Sequence, residues 1–189
     1  MEYFVLSQDE TFKNTVTIDE DRLPEEFKTI RSPGRKINLD LQNVPFKERS
    51  FNFMVKGNVD NYYPDLIEIP LLLISDQLKM IFCSYETRLQ CNCTILSDRV
   101  NKIQKVYWLC VLEKVDCLGE DTEFYPDHSL KKLVLDEEKI GNRKIFQVSG
   151  IRERKIIVNL DVVESILRRP FTGIHMEKAC LDYAICTDD

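Results

Sequence analysis

Three short apolar runs and a segment with helical spacing fill residues 131–178, and this stretch constrains the fold most strongly. The runs, at residues 133–135, 144–148 and 155–158, have the length and the polar boundaries of strands. The apolar positions at the 3.6-residue period of a helix are Val162, Val163, Ile166 and Leu167. Because strand cores and one helix face use these apolar positions, we predict a small α+β unit without a reaction centre.

The order strand, polar cap, helix and strand occurs twice, in residues 69–96 and 155–178. In the first unit Ser75 follows an apolar run, residues 67–74, that we predict to be a strand. In the second unit Asn159 takes the same position. Ser and Asn are favoured N-caps because their side-chain oxygen accepts a hydrogen bond from a free backbone N–H. The sequence therefore predicts an α+β fold with a mixed, mostly antiparallel sheet and few helices, and the repeat suggests two related units.

Further strands are predicted from apolar runs and from alternation. Tyr3-Phe4-Val5-Leu6 and residues 51–57 have strand character, and residues 105–113 are apolar on both parities, as in a central strand. Tyr62-Tyr63-Pro64-Asp65 is predicted to form a turn. A strand with one buried face is indicated by the alternating residues Leu89, Cys91, Cys93 and Ile95.

The length of 189 residues, with 43% hydrophobic content, is sufficient for one large core. We predict one domain over residues 1–189. Its parts are a loop-rich N-terminal part at residues 1–50, a core at 51–178 and an acidic C-terminal tail at 179–189.

The sequence contains few patterns typical of catalytic, cofactor-binding or metal-binding sites. There is no Gly-rich phosphate loop and no pair of Cys-x-x-Cys motifs, so we predict no cofactor and no metal site. Cys91-x-Cys93 is better explained by packing than by half of a thiolate metal site. The seven cysteines are expected to be reduced thiols. The chain has only two histidines, His128 and His175, which leaves few schemes for general-base catalysis. No carboxylate or nucleophile is linked in sequence to His175, whereas Asp127 directly precedes His128, so an Asp-His pair stays open there.

The net charge of −6 argues against direct binding to nucleic acid and favours a basic protein partner. The N-terminus lacks the basic segment of a signal peptide, and the longest apolar run, residues 69–74, is too short to cross a membrane. We therefore expect a cytoplasmic protein with no membrane contact.

Two acidic loops, with aromatic residues in or near them, are the candidate binding surfaces. Acidic side chains speed and orient association with a basic partner, and aromatic residues are common hot spots. The first loop contains Asp19, Glu20, Asp21, Glu25 and Glu26. The second contains Glu120, Asp121, Glu123 and Asp127, and the aromatic candidates are Tyr62, Tyr63, Phe124 and Tyr125.

The order of motifs over most of residues 50–178, with the N-terminal strand, resembles that of the bacterial immunity proteins of polymorphic toxin systems. The motifs are Tyr3-Phe4-Val5-Leu6, Ile74-Ser75-Asp76-Gln77-Leu78, residues 107–116, Leu133-Val134-Leu135-Asp136, Ile145-Phe146, Ile157-Val158 and Thr172-Gly173-Ile174. They are structural signatures and transfer no catalytic residues. The resemblance implies a cytoplasmic, non-enzymatic protein that blocks a cognate protein toxin.

The predicted function is stoichiometric inhibition of that toxin, with acidic and aromatic loops covering its active surface. For a toxin that cuts nucleic acid, the carboxylates would imitate phosphates. Two alternatives stay open, a small-ligand or regulatory module and, less favoured, a hydrolase that uses His128 or His175. The toxin and the oligomeric state are left open by the sequence.

Overall fold

The computed structural model describes residues 1–24, 27 and 49–182. Over these residues it contains three α-helices, a 3₁₀ turn at Glu20–Arg22 and fourteen strands. The helices are α1 (Asp76–Tyr85), α2 (Glu137–Ile140) and α3 (Leu160–Leu167). The strands are β1 (Tyr3–Gln8), β2 (Phe51–Met54), β3 (Leu66–Ile67), β4 (Leu73–Ile74), β5 (Gln90–Asp98), β6 (Ile103–Val111), β7 (Lys114–Val115), β8 (Glu123–Phe124), β9 (Leu130–Lys132), β10 (Val134–Asp136), β11 (Ile145–Val148), β12 (Ile156–Asn159), β13 (Ile174–Lys178) and β14 (Cys180–Asp182).

Two five-stranded sheets organise the molecule. Sheet 1 has the order β13-β1-β12-β11-β7 and sheet 2 has the order β2-β5-β6-β4-β3. Neighbouring strands are antiparallel except for β11 with β7 and β2 with β5. Two small ribbons, the parallel pair β10-β14 and the antiparallel pair β8-β9, complete the strand pairing. The predicted α+β class with mixed, mostly antiparallel sheets is confirmed.

The two strand–cap–helix–strand units have the same topology. In sheet 2, β4 leads through α1 to β5, and β6 lies between the two strands; in sheet 1, β12 leads through α3 to β13, and β1 lies between them. Each unit is therefore a split β-α-β motif. The predicted caps are confirmed, since Ser75 Oγ accepts from the Leu78 N–H at 3.3 Å and Asn159 Oδ1 accepts from the Val162 N–H at 3.2 Å.

The core has three parts because each sheet buries both faces. The central cluster joins the inner faces of both sheets to α1 and α3, with Leu6, Ile74, Phe82 and Val162 among its members. The outer face of sheet 2 packs against the N-terminal segment around Ile18, and the outer face of sheet 1 forms a separate cluster. Between the helices, the Tyr85 hydroxyl contacts Ser165 Oγ at 2.7 Å.

The run at residues 67–74 is not one strand, as its hydrophobicity predicts, but two short antiparallel strands, β3 and β4, on either side of Pro70. Proline lacks the N–H that a continuous ladder requires. Residues 62–65 were predicted to turn, but Tyr62 instead lies in a parallel bridge with Thr15.

The prediction that β5 has only one buried face is also wrong. Cys91, with Leu89 just before the strand, is half-buried against the central cluster, whereas Asn92 and Thr94 on the opposite face are buried more deeply. Both faces of β5 are covered, although the polar residues of the alternation predicted an exposed second face. The buried polar face is accommodated by hydrogen bonds: Asn92 Nδ2 donates to the Arg49 carbonyl at 2.8 Å. Similarly, Leu167 is exposed at the end of α3 although its spacing fits the apolar stripe.

The cysteines differ from expectation at one pair. Cys91 and Cys110 are direct cross-strand partners in β5 and β6, with Cα atoms 4.3 Å apart, and the structure pairs their sulfur atoms as a disulfide. At these two positions the structure differs from the prediction of reduced thiols.

The predicted loop-rich part and the predicted tail both contribute described structure. Val16, Ile18, Leu23 and Phe27 are buried against sheet 2, and β14 of the tail pairs with β10. Within the described part of the chain, none of the helices is sufficiently long and apolar to span a membrane.

Candidate functional site

The structure divides the predicted binding residues between two regions. Asp19, Glu20 and Asp21 lie beside sheet 2, where Tyr62 and Tyr63 also pack. The others lie in a β8-β9 ribbon and its flanks, residues 119–132, which we call the acidic hairpin. Glu25 and Glu26 fall outside the described residues.

The residues of the first region mainly form contacts with other residues of the same chain. Asp19 forms an ion pair with Arg22 at 3.2 Å, and its backbone N–H donates to the Met54 carbonyl. The Tyr62 ring stacks on Phe12 with centroids 4.6 Å apart. Tyr63 is half-buried and donates its hydroxyl proton in a hydrogen bond to a buried carboxylate described below. These contacts hold the N-terminal segment against sheet 2.

The tip of the acidic hairpin is a hydrogen-bonded turn. Asp127 Oδ1 accepts from the Ser129 N–H at 3.0 Å and from the Ser129 hydroxyl at 2.6 Å. The Tyr125 N–H donates to the Ser129 carbonyl at 2.9 Å, and the His128 N–H donates to the Tyr125 carbonyl at 2.8 Å. His128 has a positive φ of 62°, which the tight turn imposes. The turn therefore has a defined backbone although it is exposed.

Contacts at its base hold the acidic hairpin on the body of the protein. Thr122 Oγ1 donates to the Val134 carbonyl at 2.8 Å, and the Glu120 N–H donates to Asp182 Oδ2 at 3.1 Å. From the other side, Glu153 Oε1 accepts from the Leu130 N–H at 3.0 Å. The hairpin is consequently anchored to β10, β14 and the loop before β12.

Two aromatic side chains project from this ribbon into solvent. Phe124 is 41% exposed and Tyr125 is 51% exposed. Beside them, Glu123 forms an ion pair with Lys131 at 2.5 Å, and the hydrogen bond to Lys131 lowers the pKa of Glu123. Exposed aromatic groups with adjacent carboxylates thus lie together on this ribbon.

Within the described structure, the two histidines of the chain lie in different places. His128 is at the hairpin tip, while His175 is an exposed residue of β13 opposite Ser7. Burial raises the pKa of the Cys117 thiol to about 11, so its nucleophilic thiolate is scarce at neutral pH. The described residues contain no group of three or more His, Cys, Asp or Glu side chains arranged to hold a metal ion.

An open groove of about 360 Å³ lies at the ends of β5 and β6 opposite their connecting turn. Its lining mixes charged and apolar side chains: Glu86, Arg88, Leu89, Gln90, Val111, Leu112 and Glu113. It does not form the enclosed, mostly apolar cavity typical of small-molecule sites.

The feature that sequence analysis missed is a buried carboxylate at the β5-β6 turn. Asp98 is 2% exposed. Its Oδ1 accepts from the N–H groups of Val100 and Asn101, and its Oδ2 accepts from Asn61 Nδ2, Tyr63 Oη and Asn101 Nδ2, at 2.7–3.1 Å. Burial raises the pKa of Asp98, but these hydrogen bonds outweigh it and hold the pKa well below its usual range. In the sequence, Asp98 and Asn101, three residues apart, are the signal from which this turn could have been predicted.

Comparison with protein-family models matches residues 3–180 to the family described as Immunity protein family (Imm11). No curated protein matches the chain.

Proposed function

We propose, from the premise that this chain belongs to the Immunity protein family (Imm11), that it neutralises one cognate toxin by forming a stoichiometric complex with it. Membership implies a role in toxin immunity and a toxin partner in general, and suggests a non-enzymatic role. The proposed setting is the cytoplasm of a bacterium with a polymorphic toxin system.

The observation that carries the proposed mechanism is the acidic hairpin, which combines exposed aromatic side chains with a hydrogen-bonded turn. Phe124 and Tyr125 offer apolar area that becomes buried when a partner docks. Because contacts of Thr122, Glu120 and Leu130 hold the ribbon, little backbone freedom is lost on binding. A preorganised ribbon of this kind suits tight inhibition.

The charge of the ribbon indicates the chemistry of the toxin surface. Glu120 and Asp121 form no ion pair with any residue that the structure describes, whereas Glu123 is paired with Lys131. Unpaired carboxylates beside exposed aromatic rings attract a basic surface and increase the rate of association. A toxin that cuts nucleic acid has such a surface, and Glu120 and Asp121 would then occupy phosphate positions.

The test uses the toxin domain encoded next to this chain in the source genome. We expect the two purified proteins to form a 1:1 complex, measured by light scattering, and the chain to restore growth of cells that express the toxin. Phe124→Ala with Tyr125→Ala is expected to weaken the complex about ten- to hundred-fold, which is about 1.4–2.7 kcal/mol.

Leu167→Ala provides the control, because Leu167 is an apolar residue of α3 that is 68% exposed and lies outside both predicted binding regions. We expect this variant to bind the toxin as the wild type does. Unchanged binding by Phe124→Ala with Tyr125→Ala would remove these two residues from the interface, and equal weakening by Leu167→Ala would show that the loss is not specific to the acidic hairpin. Protection of cells without a complex would contradict stoichiometric inhibition.

A further inference from the structure

One edge of β6 is open next to the β5-β6 turn. β5 pairs with β6 along its whole length, and β2 covers the other edge of β5 at residues 94–97. β4, however, pairs with β6 only at Trp108 and Leu109. Among the residues that the structure describes, residues 103–106 of β6 therefore have a strand partner on one side only.

The exposure of this segment agrees with an open edge. All four residues from 103 to 106 are exposed, although successive side chains point to opposite faces of the sheet. Ile103 is 37% exposed and Val106 is 55% exposed, one on each face. We call residues 103–106 the open edge. It offers apolar side chains as well as unpaired backbone groups.

The exposed charged side chains of the open edge and its turn, residues 99–106, are all basic, in contrast to the net charge of −6 of the chain. Arg99, Lys102 and Lys105 are exposed, and none forms an ion pair with a described residue. Asp98, the carboxylate at the turn, is buried and fully engaged. The positive charges are therefore available to a partner.

The turn is held in place before any partner arrives. Asp98 binds Asn61 and Tyr63 of the preceding loop, and Asn101 Nδ2 donates to the Asn58 carbonyl at 2.8 Å. These contacts fasten the turn to the loop that precedes β3, so the open edge is presented in one conformation. Binding would then cost little ordering of the protein.

We propose that the open edge binds an extended, acidic segment of a protein partner by strand addition. The backbone of the segment would continue the sheet beside β6, and its carboxylates would meet Lys102 and Lys105. Lysines on an edge also discourage pairing between two copies of this chain, because their charges would repel. A peptide strand, unlike a membrane or a nucleic acid, satisfies unpaired backbone N–H and C=O groups. The open edge shares no residue with the acidic hairpin, and the proposal does not depend on the hairpin.

The test is an NMR titration of the ¹⁵N-labelled chain with a short peptide that alternates Glu and Val. We expect shift changes and slower amide exchange centred on residues 103–106, and no such change with a peptide that alternates Lys and Val. The double variant Lys102→Glu with Lys105→Glu should bind the Glu peptide at least about ten-fold more weakly and should gain binding to the Lys peptide.

Lys132→Glu, on exposed β9, is the control for a change of charge alone and should leave the titration unchanged. Four results would overturn the proposal. They are protection, already in the free chain, of those amides of residues 103–106 that point away from β5, no shifts at millimolar Glu peptide, shifts centred elsewhere, and stronger perturbation of the open edge by phosphatidylglycerol vesicles or duplex DNA than by the peptide.

Discussion

The β5-β6 turn and the tip of the acidic hairpin are built with the same local device. In each, an aspartate Oδ1 accepts a hydrogen bond from the backbone N–H two residues later: Asp98 from Val100 at 3.1 Å, and Asp127 from Ser129 at 3.0 Å. The environments differ, since Asp98 is almost fully buried and Asp127 is exposed. The same turn chemistry therefore serves two purposes.

The different roles of Asp98 and Asp127 follow from how deeply each side chain is buried. Asp98 uses its second oxygen to bind Asn61, Tyr63 and Asn101, so it joins two segments that are distant in sequence. A buried carboxylate is stable only if such donors surround it, and these donors in turn require the carboxylate. Asp127 is exposed, and its carboxylate binds the N–H and the hydroxyl of Ser129 within the turn. Asp98 therefore connects two segments of the fold, whereas the Asp127 turn belongs to the surface that we propose binds a partner.

The largest predicted effect on stability comes from removing the buried carboxylate of Asp98. Asp98→Ala should lower the free energy of unfolding by about 3–5 kcal/mol, because Asn61, Tyr63 and Asn101 lose their acceptor in a buried site. Urea denaturation measures this loss. A loss below about 1 kcal/mol would show that Asp98 contributes no more to the free energy of unfolding than the exposed Asp127 does.

Acid should distinguish the two turns next. The folded pKa of Asp98 is lowered relative to the ordinary value of about 3.9, so its contribution to stability is complete above that value and is lost as the pH falls towards the folded pKa. Between about pH 6 and pH 2, the Asp98→Asn variant should lose less stability than the wild type, by on the order of 2 kcal/mol. Denaturation at several pH values gives this difference, and parallel pH profiles would show that the charge of Asp98 contributes nothing.

The smallest effect is expected at the exposed turn. Asp127→Ala removes two hydrogen bonds to Ser129 that water can replace, so the free energy of unfolding should fall by only about 0.5–1 kcal/mol. The measurement is the same urea titration, made beside Asp98→Ala. A cost of several kcal/mol would assign the acidic hairpin a structural role like that of the β5-β6 turn.

Much of the secondary structure was predictable because its signals are local. Ser75 and Asn159 cap their helices as expected, since a cap depends on a few consecutive residues. The acidic hairpin was also predictable as an exposed group of acids and aromatic residues. By contrast, burial of the second, polar face of β5 was not predicted, because it depends on segments distant in sequence: Asn92 donates to the Arg49 carbonyl.

The sequence by itself determined the class of the protein, the two capped helices and the cluster of acids and aromatic residues near residue 124, because each follows from the order of neighbouring side chains. Only the tertiary structure decided which aspartate is buried, which part of β6 has a strand partner on one side only among the described residues, and that Asp19 and Asp127 lie in separate regions. These properties depend on which strands become neighbours. Strand neighbours are selected by the packing of the whole core, to which residues far apart in the chain contribute together.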